Sequence, residues 1–130
     1  MVATYLTRTV NLACLALVLL VAFALVSGKV SLVRVSGGSM APALWPGDVC
    51  LVTQVAQPSV SDIVLLAEPG HESRVLHRVR ALEGSALMTQ GDANPVPDRE
   101  PVAREAVLGR VSGILPVGRL VRRWQGASGR

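Results

Sequence analysis

Lysine is nearly missing from this 130-residue chain: Lys29 is the sole lysine among 13 Lys+Arg residues. Aromatic residues are also few, with one Phe, one Tyr and two Trp. The net charge of +4 would suit nucleic acid, but the chain has too few rings for base stacking and no nucleic-acid motif, which argues against that partner class. Attraction to anionic lipid head groups is the milder reading of the arginine excess. There are two cysteines: Cys14 falls inside an apolar run and Cys50 inside an expected strand, so no disulfide is expected. Histidine is limited to His71 and His77, and no Cys/His cluster has metal-ligand spacing, so neither metal nor cofactor is implied.

What the chain does have is one long apolar segment, TVNLACLALVLLVAFALVSG from Thr9 to Gly28, with no charge in it. About 20 apolar residues span a bilayer core, so a transmembrane helix is expected over about residues 10–27, within an N-terminal segment 1–28. A cleavable signal peptide would read Arg8 as its basic region and Ala22-Phe23-Ala24 as its cleavage site. Such peptides carry only about 7–15 apolar residues, which favours a retained anchor. Arg8 on one side and Lys29 and Arg34 on the other leave the orientation undecided by charge.

The remainder, about 100 residues, is enough for one small core. Short apolar runs alternate with clusters of Gly, Pro, Asp and Ser, the pattern of an all-β domain. Strands are expected at about 30–35, 48–54, 62–68, 74–82, 85–90 and 106–115, in a domain spanning 29–123 with a flexible tail at 124–130. No helical period of convincing length appears outside the anchor. The tail, GRLVRRWQGASGR, suits either a membrane interface or a solvated end.

Three stretches carry possible chemistry. In VSGGSMAPALWPGD, Gly37 and Gly38 free the backbone before Ser39, and Pro42 and Pro46 stiffen the chain beyond it. In RVLHRVRAL, period-two alternation sets Val75, His77 and Val79 on one strand face and Arg78 and Arg80 on the other, so His77 should be partly buried. His71 sits in a turn, EPGHES, where a solvated role is expected. In TQGDANPVPDRE, Gly91-Asp92 makes a turn, and Pro95 and Pro97 keep the chain extended toward Asp98. Each has a bland reading: a linker, a core histidine, an Asx-rich turn. Asp48, after Pro46-Gly47, likewise reads as a turn residue. Together they supply a serine, a base to take its proton and a carboxylate to orient that base.

SGGSMAP followed by PGD resembles the serine box of the type I signal peptidases, and HRV and TQGDANPVPD resemble the boxes carrying that family's base and acidic residues. The resemblance implies a mainly β fold: a single transmembrane helix, then a small all-β catalytic domain. It also implies a membrane-bound serine endopeptidase that removes signal peptides from exported preproteins, facing the extracytoplasmic side of the cell membrane. One family branch uses a Ser/Lys dyad, with lysine where this chain has His77. No lysine follows Lys29, so the chain resembles the Ser/His branch typical of the endoplasmic reticulum and archaea and found in some Gram-positive bacteria.

By that resemblance Ser39 is the nucleophile, His77 the base and Asp98 its orienting partner. Asp92 supports the loop, with exchange of the two aspartates' roles left open. The Ser39 N–H is one oxyanion donor. The second is open, because Gly37 stands where relatives often have serine, with Ser36 one residue further back. Met40 is expected to line a substrate pocket and to pack the loop. Implied partners are signal-peptide-bearing preproteins and the lipid bilayer; the oligomeric state is not set. Alternatives are a peptidase dedicated to one or few exported substrates, a catalytically silent subunit of a peptidase complex, and a tethered β-domain that only binds peptides.

Overall fold

The computed structural model describes residues 2–68, 70 and 72–127; the expectation for His71 lies outside them. The chain divides into two units, Met1–Ser31 and Leu32–Arg130. The first is dominated by helix α1, Val2–Val26. Its stretch Thr4–Val26 has a mean hydropathy of 2.7, and none of it is buried within the protein. At about 1.5 Å per residue the helix is long enough to cross a bilayer core of ~30 Å. That length and composition fit a single-pass anchor and a signal sequence alike. The helix ends where Gly28 takes a φ of +70° and the Ser27 hydroxyl donates to the Ala24 carbonyl.

The second unit is built on one seven-stranded sheet. In chain order its strands are β1 (Val30–Arg34), β2 (Val49–Thr53), β3 (Ile63–Ala67), β4 (Arg74–Glu83), β5 (Ala86–Gln90), β6 (Val102–Ala103) and β7 (Val107–Leu115). In space they run β1-β2-β7-β3-β4-β5-β6, and the pairs from β2 through to β6 are antiparallel. The fold is mainly β, as expected, and each of the six expected strands is present.

Alternation explains how so small a sheet buries a core. Cys50 and Val52 point inward from β2 while Leu51 is exposed. Central strand β3 reads Val64, Leu65 and Leu66, all buried, because it is covered on both faces. Leu65 joins Val35, Met40, Leu44, Cys50 and Val52 in one cluster, whereas Val64 and Leu66 join Val79 and Leu87 in another. Burial and the neighbouring Asp48 charge push the Cys50 thiol pKa up, which keeps it a neutral core residue rather than a nucleophile.

The sheet is not the whole domain. A second helix, α2, runs Val117–Ala127, where no helix was expected. Pro116 precedes it, and its carbonyl accepts the Leu120 N–H. Gly118 packs directly on Pro46 and Gly47, leaving no room for a Cβ. Fully buried Asp48 then accepts the Arg119 N–H at 3.2 Å and the Trp45 N–H at 3.0 Å. Asp48 is thus more than a turn residue: it fastens this helix to the loop that follows Ser39.

Candidate active site

His77 lies in β4 opposite Val64 of β3, with 13% of its side chain exposed. Its Nδ1 is 2.6 Å from Asp98 Oδ2. The same carboxylate oxygen accepts the Thr89 hydroxyl at 2.7 Å, and the Asp98 N–H donates to the Thr89 carbonyl at 2.8 Å. Thr89 is fully buried on the inward face of β5. Asp98 is therefore gripped at both backbone and side chain by one residue and presented to the imidazole. A carboxylate facing Nδ1 accepts a hydrogen bond from the Nδ1–H, which keeps the proton on that nitrogen and leaves Nε2 as the basic one.

Asp92 goes elsewhere. Arg78 holds it in a bidentate pair, Nε to Oδ1 at 2.8 Å and Nη2 to Oδ2 at 2.6 Å, with Arg80 3.6 Å away. The hydrogen bonds from Arg78 hold the Asp92 carboxyl below the usual carboxylate range, against the opposing effect of burial. The same bonding raises the Arg78 pKa. Arg78 also donates through Nη1 to the Ser61 carbonyl at 2.8 Å, tying β4, the turn before β3 and the Gly91-Asp92 turn together. Strand alternation thus sends the two aspartates to different neighbours, Asp98 to His77 and Asp92 to Arg78.

Ser39 is docked on that turn. Its carbonyl accepts the Ala93 N–H at 2.8 Å, and a Cβ placed on Gly91 would stand 3.0 Å from Ser39 Cβ. The β4–β5 ladder pairs Arg78 with Gln90, so its continuation by one residue sets Gly91 opposite His77. Opposed residues in an antiparallel pair share a face, so the gap left by the missing Gly91 side chain is filled by Ser39 on the histidine's side. Among the described residues the Ser39 hydroxyl forms no hydrogen bond; nucleophile–base contacts commonly close only when substrate binds.

The rest of the loop is anchored by burial. Met40 is 1% exposed and Leu44 is fully buried, both in the cluster under β2 and β3. The Ala41–Pro42 peptide bond is cis. Ser36 and Gly37 are exposed, and nothing lies within 4 Å of where a Gly37 side chain would begin. A cleft of about 200 Å³ opens here, lined by the end of β1, by Ser36, Gly37, Ser39 and Met40, and by the start of β4. Of the residues singled out from sequence, His77 and Asp98 are in direct contact and Ser39 is joined to their loop. Ser36, Gly37 and Met40 line the cleft beside Ser39, and Asp92 stands apart on Arg78.

Sequence reasoning overlooked Thr89 and gave Arg78 no role. Both had a faint signal: Thr89 shares the period-two phase of apolar Leu87, and a polar residue on an inward face needs a partner. The family model described as signal peptidase, peptidase S26 matches residues 6–112, which include Ser39, His77, Asp92 and Asp98. No curated protein matches the chain. With more than half of its length matched, the chain belongs to the signal peptidase family, peptidase S26.

Proposed function

We propose that this family member is a Ser/His/Asp endopeptidase that removes signal peptides from exported preproteins, anchored in the membrane by α1 with its β domain on the extracytoplasmic side. The observation that carries the mechanism is the Thr89–Asp98–His77 chain, which leaves His77 Nε2 as a base on the side where Ser39 is docked.

Substrate would lie extended along a strand edge by β-augmentation, with β1 as the free edge beside Ser39. Ser39 Oγ attacks the scissile carbonyl carbon while its proton passes to His77 Nε2. Asp98 stabilises the resulting imidazolium and stays ionised. The Ser39 N–H and a second donor from the Ser36–Gly37 segment face the oxyanion. The protonated imidazole then gives its proton to the leaving amine, releasing the mature protein and leaving the signal peptide as an ester on Ser39. A water deprotonated by His77 cleaves that ester and restores the enzyme. The base must be neutral to take the serine proton. Asp92, through Arg78, holds the turn on which Ser39 rests. The absence of any later lysine supports the Ser/His branch.

The test is incubation of the full-length protein in detergent with a preprotein bearing an Ala-x-Ala site, read by product mass. Cleavage after the second alanine is expected, with losses of about 10³-fold or more in Ser39→Ala and in His77→Ala. Undiminished cleavage in His77→Ala would overturn the mechanism. No cleavage by the parent chain would favour a silent subunit. Retention of the chain in membranes after alkaline extraction tests the anchor.

A further inference from the structure

A second cleft, of about 630 Å³, adjoins the one that opens at Ser39. It lies between the Ser39 loop and α2, walled by Pro46 and Gly47 on one side and by Val117, Val121 and Arg122 on the other. The two clefts share Arg34, Val35 and Ser36, so they form one groove running from Ser39 past Ser36 to α2. The volume of the second part is in the range of built ligand sites.

The charge of this groove is one-sided. Arg74 lines the part at Ser39, Arg122 lines the part at α2, and Arg34 lies where they join. Among the described residues no Asp or Glu lines either part. Four arginines outside the groove are matched, Arg78 and Arg80 to Asp92, Arg110 to Asp62 and Arg119 to Asp48, while Arg99, Arg104 and Arg123 are not. Among the described residues none of the three groove arginines has an acidic partner. Arg34 and Arg74 are exposed, and Arg122 lies with its guanidinium 4.5 Å from the Trp45 ring centre. Stacking of this kind fixes a guanidinium without neutralising it. Between the arginines the lining is apolar, from Val35, Leu76, Val117 and Val121.

We propose that this groove binds an acidic segment of the substrate flanking the scissile bond, with Arg34, Arg74 and Arg122 as its counter-charges. The inference rests on the peptidase reading and adds to it a substrate class: preproteins carrying Asp or Glu within a few residues of the cleavage site. An extended segment offers alternate side chains to one wall, so acidic and small apolar residues in alternation fit the mixed lining. Like-charge contact makes the same groove reject lysine at those positions.

The test uses full-length protein in an uncharged detergent and peptides sharing one Ala-x-Ala site. In one set a Glu, Gln or Lys pair is placed on the N-terminal flank, and in a second set on the C-terminal flank. A partly exposed ion pair is worth about two- to fivefold, so exchanging two Glu for two Lys should lower kcat/KM about tenfold or more on one flank. The ratio should shrink toward one at ~1 M salt, where screening acts within ~3 Å. It should also collapse in the Arg34→Gln/Arg74→Gln/Arg122→Gln variant and invert in the corresponding Arg→Glu variant. A ratio between two peptides on one protein preparation is unaffected by partial misfolding. Equal cleavage of Glu and Lys peptides on both flanks, or a preference that survives the triple Gln variant, overturns the proposal. Anisotropy of labelled peptides on Ser39→Ala protein reads the same Glu/Lys ratio without turnover. Glu-selective binding with no cleavage by the parent chain would therefore sink the peptidase reading and keep the groove.

Discussion

Adding one methyl group at Gly91 should disable the site without touching any group that takes part in chemistry. A Cβ there would lie 2.7 Å from the Ser39 carbonyl oxygen, 2.8 Å from Asn94 Nδ2 and 3.0 Å from Ser39 Cβ. Unstrained carbon contacts are about 3.5–4.0 Å, so neighbours must retreat by roughly 0.5–1 Å. The Asn94 amide can swing away. The Ser39 backbone cannot, because its carbonyl is held by the Ala93 N–H at 2.8 Å and its neighbour Met40 is fixed in the core. Overpacking of this kind costs about 1–3 kcal/mol, and a nucleophile displaced by ~1 Å loses about 100-fold in rate. The assay is kcat/KM on a preprotein with Gly91→Ala full-length protein, corrected for folded enzyme by titration with a serine-directed probe. Gly38→Ala is the control, because nothing lies within 4 Å of a Cβ added there. Gly91→Ala within threefold of the parent would refute the docking of Ser39 on this turn.

The two aspartates should separate cleanly under substitution. Asp98→Asn should lower kcat by about 10²–10⁴-fold with little change in KM, because the histidine loses the acceptor that fixes its tautomer; equal kinetics would contradict the assignment. Asp92→Asn should instead lower stability, and in a pH-dependent way. The Asp92 pKa lies below its ordinary value in the folded state, so its contribution is complete above the usual carboxylate range and is lost as pH falls through the depressed value. The gap in Tm between parent and Asp92→Asn should accordingly be widest near pH 7 and close in acid. A gap independent of pH would show that the Arg78–Asp92 pair is not its cause.

Six of the seven strands were legible because each is a short apolar run closed by turn formers, and their observed bounds fall within a residue or two of expectation, whereas the two-residue β6 is too short to leave such a pattern. Alternation in RVLHRVRAL was enough to place His77 and Arg78 on opposite faces. Helix α2 was not legible for a physical reason. Its apolar positions, Val117, Leu120, Val121 and Trp124, do follow helical spacing, but they cover two turns, have Gly118 among them and stay at least 46% exposed. The helix is held by tertiary contacts, Gly118 against Pro46 and Gly47 and the Arg119 N–H on Asp48, which lie some 70 residues apart in sequence. Local propensity carries no trace of such contacts. Thr89 was missed for the same cause, since its partner Asp98 arrives from beyond a proline-stiffened loop.

The segment from Gly91 to Asp98 positions both partners of the proposed reaction. Near its start, Asp92 is locked to Arg78, and the Ala93 N–H holds the Ser39 carbonyl. At its end, Asp98 is locked to Thr89 and holds the imidazole. The Gln90 side chain donates to the Asn94 carbonyl at 2.8 Å, and Pro95 and Pro97 restrict the backbone between. The spacing of the proposed nucleophile and base is therefore set by the internal geometry of one short stiff loop together with the core packing of Met40 beside Ser39. Two consecutive β4 residues, His77 and Arg78, receive the two ends of that loop on opposite faces of the strand. A slip of one residue in the β4–β5 register would exchange those faces and part Asp98 from the histidine. The ladder Arg78↔Gln90, Val79↔Thr89 is in that sense part of the proposed active site, and buried Val79 and Leu87 would guard its chemistry by holding that register.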